Sequence, residues 1–137
     1  AASPLLQPTA AAELHLAPDA PLLLLKKLFR ENDEPVILTQ NVVPLTQLAE
    51  PYTPDDLALP VYEFLEAFGR QRLAYYLTEI VPVLAEGETA ALLGVEPGAP
   101  LVSFDETGYN EANEPILKAY SYFRDDLLRL RLLRRRV

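Results

Sequence analysis

The sequence contains no cysteine and one histidine, His15. Without thiols there is no disulfide framework and no thiolate metal site, and a lone histidine cannot make an ordinary zinc site with nitrogen and sulfur ligands. The cysteine count fits a reducing compartment. A Ser-His-Asp triad would need His15 as its base, and neither Ser3 nor Ser121 sits in the elbow-like turn such a nucleophile uses. Glycine is scarce, five in 137 residues, so wholesale disorder is not expected and no glycine-rich phosphate loop is present. No charge-free apolar run approaches the roughly 18 residues of a membrane span. The longest, Pro21 to Leu25, is followed at once by Lys26 and Lys27. The N-terminus lacks a basic region leading into an apolar core, so no signal peptide is expected.

Acidic residues are abundant but gather in turn-like stretches: Glu31, Asp33, Glu34, Asp55, Asp56, Glu111 and Glu114. Solvated turn carboxylates are the default reading there, not a catalytic pair. The net charge of −8 argues against a nucleic-acid surface over most of the chain. Charge is uneven, however. From Arg124 onward six arginines face two aspartates, a balance of +4, which leaves −12 on the preceding 123 residues. Arg134, Arg135 and Arg136 could attract phosphate, but a solvated edge strand or terminus explains them more simply.

What the sequence does have is a repeat of itself. Residues 11–22 (AAELHLAPDAPL) and 90–101 (AALLGVEPGAPL) share seven identities at an offset of 79. One inserted residue later, at an offset of 80, Glu31/Glu111, Glu34/Glu114 and Pro35/Pro115 match. Two copies are too few for a solenoid and predict a pseudo-two-fold domain in which each half supplies one unit. Each unit reads as a short alanine-rich helix (Thr9 to Leu16; Glu86 to Leu93), closed by Pro18 or Pro97 and, in the second copy, by Gly94 at the C-terminal cap. His15 occupies the place of Gly94 and reads as a surface or cap residue. A strand follows (Pro21–Arg30; Pro100–Tyr109), then a hairpin turn (Glu31–Asp33; Asn110–Asn113) and a return strand (Val36–Val43; Ile116–Arg124). Between the copies lie a proline-punctuated loop from Pro44 to Pro60, a short helix Val61–Phe68 ended by Gly69, and a strand over Gln71–Val83. Leu127–Leu133 alternates leucine with arginine and predicts a last, one-face-buried strand. The sum is one α+β domain over residues 1–137, a largely antiparallel sheet of about six strands with short helices on one side.

The ordered series LHLAPDAPL, ENDEPV, VVP, LLGVEPGAPL, NEANEPI and YSYFRDD resembles the UTRA domain, the effector-sensing module of HutC-type members of the GntR regulator family. The resemblance runs from about Leu5 to Arg131. It implies a chorismate-lyase-like fold with a ligand cleft beside the sheet, in a cytoplasmic homodimer that senses a small metabolite. DNA would be contacted only through an N-terminal winged helix-turn-helix outside this chain, since Leu5 already belongs to the pattern. The resemblance also implies ligand-contacting positions. Where the family commonly has two arginines on the first hairpin strand, this chain has Lys27 and Phe29. Where it has a glutamate on the return strand, this chain has Thr39. The second return strand commonly offers a glutamate and a serine, here Leu117 and Ala119, and a tyrosine, here Phe123. A serine at the start of the middle helix aligns with Pro60.

A bound phosphate needs fixed donors, ideally an arginine fork. One lysine, one hydroxyl and an apolar lining suit a ligand less polar than a phosphosugar, with one acidic group near Lys27. Alternation along Ile116–Arg124 puts Leu117, Ala119, Ser121 and Phe123 on one face, either as core or as the wall of a cleft. The chain is thus expected to be a sensor and not an enzyme. Two other readings stand beside it: a dimerisation module whose effector site has degenerated, and a chorismate-lyase-like enzyme, which the shared fold permits but which would need arginines where Phe29 stands.

Overall fold

We describe the protein from a computed structural model, over residues 7–124 and 129–136. Chain order is α1 (Gln7–Glu13), β1 (Leu22–Glu31), β2 (Glu34–Pro44), α2 (Val61–Phe68), β3 (Tyr75–Leu84), α3 (Gly87–Leu93), β4 (Pro100–Tyr109) and β5 (Pro115–Arg124). Two 3-10 turns, Leu45–Gln47 and Pro54–Ala58, punctuate the loop between β2 and α2. The strands form one antiparallel sheet in the order β1-β2-β5-β4-β3.

The repeat is physically realised. Each unit is a helix, a strand, a tight turn and a return strand, and the two return strands pair at the centre of the sheet. Gln40 is the register partner of Tyr120, and these are also the residues related by the offset of 80. The pseudo-dyad therefore passes between them. Both helices of the repeat end on a left-handed residue, His15 at φ 58° and Gly94 at φ 65°, which confirms His15 as a cap. The β1–β2 turn places Asn32 and Asp33 at φ 50° and 65°, the paired positive φ of a two-residue hairpin.

The helices do not share one side. α1 and α3 cover one face: Ala10 and Leu14 pack on Leu22, Val42 and Tyr120, and Ala90 and Leu93 pack on Leu38 and Leu101. α2 covers the other, where Leu65 meets Val43, Ile116 and Leu117. The expectation of helices on one side is corrected accordingly. Its cause was α2: Val61, Phe64, Leu65 and Phe68 gave an apolar stripe, but a stripe does not say which face it will meet. The expected last strand is corrected too. Residues 129–133 carry no strand and are exposed, and Leu127 and Leu128 lie outside the described residues. The strand expected over Gln71–Val83 starts later, at Tyr75. Arg70 adopts a left-handed φ of 51° just past α2, and Ala74 already hydrogen-bonds to Tyr109.

Candidate functional site

Register assigns the six sequence-nominated residues to a single face of the sheet, the one α2 partly covers. Cross-strand partners in an antiparallel sheet point the same way. One row reads Phe29, Ile37, Phe123, Val102; the next Lys27, Thr39, Ser121, Phe104; the next Leu25, Asn41, Ala119, Glu106. The first row is apolar and partly open. Phe29 is 49% exposed, and Phe123 lies against Phe104 with ring centroids 4.8 Å apart. The middle rows are mixed: Asn41 and Ser121 are buried polar residues beside buried Ala119. Leu117 lies one step further on, fully buried against Leu65, and serves the core. Pro60, the position aligned with a family serine, precedes α2 as its cap residue and makes no side-chain cap bond.

Lys27 ties this face to the segment that crosses it. Its ammonium donates to the Leu59 carbonyl at 2.6 Å, joining β1 to the stretch entering α2. Thr39 lies opposite Lys27, its hydroxyl 3.5 Å from the Lys27 carbonyl. On the outer strands Thr78 donates to Glu106 at 2.7 Å. The Tyr76 hydroxyl beside them is pushed up to about 12 by burial first and by Glu106 second.

The opposite face holds a cavity of about 270 Å³ that the sequence reading did not find. Glu13, His15, Leu77, Glu79, Asp105, Thr107, Tyr109 and Lys118 line it. At its floor Lys118 is 2% exposed and forms ion pairs with both Glu13 and Asp105. It also donates to the Thr107 hydroxyl at 3.3 Å, and its ammonium sits 5.4 Å from the Tyr120 ring centroid. Burial alone would lower the Lys118 pKa, but hydrogen bonds and charge from Asp105 and Glu13 together outweigh it and hold it above the ordinary lysine value. Tyr120 is pushed up first by burial and then by Asp105 and Glu13, and Tyr122 first by burial and then by Asp105. A buried lysine satisfied by two carboxylates is a structural device first. Its signal was present in the sequence: one lysine inside the apolar run Ile116, Leu117, Ala119. Among the described residues no group of histidine, cysteine and acidic side chains is placed to hold a metal ion. No helix among them is long and apolar enough to cross a membrane.

Comparison with known proteins places this geometry. The model of the UTRA domain matches residues 5–129. The chain belongs to the UTRA domain family. No curated protein matches it in sequence, but several solved structures share its fold. A GntR-family transcriptional regulator from Enterococcus faecalis superposes with a TM-score of 0.79 at 17% identity, over 92% of this chain and 90% of that one. The ligand-binding domain of a Bordetella bronchiseptica protein assigned to the GntR-family regulators superposes with a TM-score of 0.76 at 24% identity, over 90% and 80%. PhnF from Mycobacterium smegmatis gives 0.74 at 19%, over 93% of this chain and 56% of PhnF. This UTRA domain therefore has the chorismate-lyase-like architecture of GntR regulator domains, a five-stranded antiparallel sheet with a few short helices.

Proposed function

We propose that this UTRA domain, as one unit over residues 1–137, senses a small metabolite for a cytoplasmic DNA-binding regulator of the HutC subfamily, and that it catalyses no reaction. The observation that carries the reading is the family match over residues 5–129. The proposed binding surface is the α2-covered face, where Lys27, Phe29, Thr39, Ala119 and Phe123 share adjacent rows, with Leu117 closing it from the core side. The protein acts as a homodimer, and DNA is contacted through a domain outside this chain.

Lys27 suggests how an effector is read. Its ammonium is spent on a backbone carbonyl of the crossing segment, and a carboxylate is a stronger acceptor than a neutral carbonyl. An acidic effector draws Lys27 off Leu59 and loosens that segment, while Phe29 and Phe123 accept its apolar body. One cation and few acceptors favour a monoanionic, partly apolar metabolite over a phosphosugar. The test is a thermal-shift screen of carboxylate metabolites beside sugar phosphates. A ligand at a hundred times its Kd stabilises the fold by about 2.7 kcal/mol. Stabilisation by sugar phosphates alone refutes the proposed chemistry, and release of a hydroxybenzoate from chorismate refutes the non-enzymatic reading.

A further inference from the structure

β3 is an unfinished edge. Five of its large hydrophobic residues are exposed, Tyr75, Tyr76, Leu77, Ile80 and Leu84, with Leu77 at 63% and Ile80 at 54%. Its hydrogen-bonding parity is fixed. Ala85 donates to Ala99, its partner one step beyond Leu84 and Pro100. Bonded pairs alternate along an antiparallel ladder, so the odd residues of β3 bond β4 and the even ones turn their backbone groups outward. Pro82 is even, so its missing N–H costs the existing ladder nothing. Tyr76, Thr78 and Ile80 are left presenting an open edge of the kind that templates a further strand.

The chain also carries an unattached strand-like segment. Residues 129–136 are exposed throughout, with Leu130 at 55% and Leu132 and Leu133 at 83%. Arg129 and Arg131 alternate with Leu130 and Leu132, so an extended backbone sends arginines to one face and leucines to the other. The two orphan features are complementary in charge. On one face β3 and β4 offer Glu79 and Asp105, next to Glu13, around the cavity described above. On the other they offer Ile80 and Phe104, which are register partners.

We propose that residues 129–136 of a second copy add to the β3 edge as a sixth strand, with Arg129 and Arg131 over the Glu13, Glu79 and Asp105 carboxylates and Leu130 and Leu132 beside Ile80 and Phe104. The exchange is reciprocal about a two-fold axis and closes as a dimer. Two alternatives fit less well. Pairing β3 with a second β3 doubles the carboxylates of an already acidic edge. Docking each segment on its own sheet would cover leucines that stand open in this chain. The inference deepens the homodimer reading by naming its surface. It needs no effector, so its failure and the failure of sensing are separate outcomes.

The chain has no cysteine, so introduced thiols report cleanly. Copies carrying Thr78→Cys, which shares the Ile80 face, are mixed with copies carrying Leu130→Cys or Leu132→Cys, or Arg131→Cys as the opposite-face control, and oxidised gently. The expected result is a disulfide between different copies for at least one of the two leucine positions and slower linkage at Arg131→Cys, weakened by high salt, which screens the arginine–carboxylate attraction. A chain ending at Leu128 is expected to sediment at half the mass of the full chain while keeping its circular dichroism spectrum. If that shorter chain unfolds, the cross-link in the full chain decides. Linkage confined to a single doubly substituted chain, faster linkage between two Thr78→Cys copies, or an intact dimer from the folded shortened chain would each overturn the proposal.

Discussion

Replacing Lys118 by methionine keeps the length and apolar stem of the side chain and removes its ammonium. Lys118 is 2% exposed, whereas Glu13 and Asp105 keep 42% and 32% of their side-chain surface. Removing one member of a fully buried ion pair costs about 3–5 kcal/mol. Here water can reach both carboxylates, which reduces the expected loss to about 2–3 kcal/mol. With a urea slope of roughly 1.5 kcal/mol/M for a chain of this size, the midpoint falls by about 1.3–2 M. Circular dichroism at the sheet minimum follows the transition. Most of the loss comes from two carboxylates left facing each other over an apolar floor, so adding Asp105→Asn and Glu13→Gln to Lys118→Met should recover more than half of it. A single variant within about 0.5 kcal/mol of the parent, or a triple variant as weak as the single, refutes this reasoning.

The pseudo-symmetric caps make opposite predictions. His15→Gly should raise stability by about 0.5–1 kcal/mol, because a left-handed residue with a Cβ is strained, and Gly94→Ala should lower it by about 1 kcal/mol, both read by urea denaturation. Gly108→Val should cost roughly 2 kcal/mol, since even a Cβ there would meet Leu73 Cδ1 at 2.7 Å and Tyr76 and Leu117 within 3.4 Å. The pKa values of Lys118, Tyr76, Tyr120 and Tyr122 are all raised in the folded state. The stability they contribute is complete below the unfolded values of about 10 and is lost as pH rises through the folded ones. Melting temperature should therefore fall steeply from about pH 10 to 12, and a flat profile there contradicts the assignment.

Much of the fold was legible because the chain states it twice. Ala11/Ala90 and Pro35/Pro115 fix two equivalent units, and a dyad relating them places β2 beside β5 without further information. Alternation in Ile116–Arg124 correctly separated two faces. It could not say that the Lys118 face carries a cavity, because that depends on where α1 ends and on Glu79 and Asp105 of the neighbouring strands, contacts spread over more than 100 residues. The alternation of Leu128 to Leu132 read as a strand because it supplies a strand's side chains. Whether a strand forms depends on an edge to pair with, and no local pattern reports that. The six nominated residues came from resemblance, and register placed them on one face. Leu117 passed into the core because burial by α2 is not visible from β5 alone.

The central claim is that a metabolite binds the sheet face bearing Lys27 and Ala119. It is tested most directly by titrating the best stabilising compound into the parent, Lys27→Met and Ala119→Phe chains by calorimetry. The account predicts a loss of at least tenfold in affinity in both variants, about 1.4 kcal/mol or more, with both still folded. Undiminished binding in both, or binding abolished instead by Glu79→Gln on the opposite face, would contradict it.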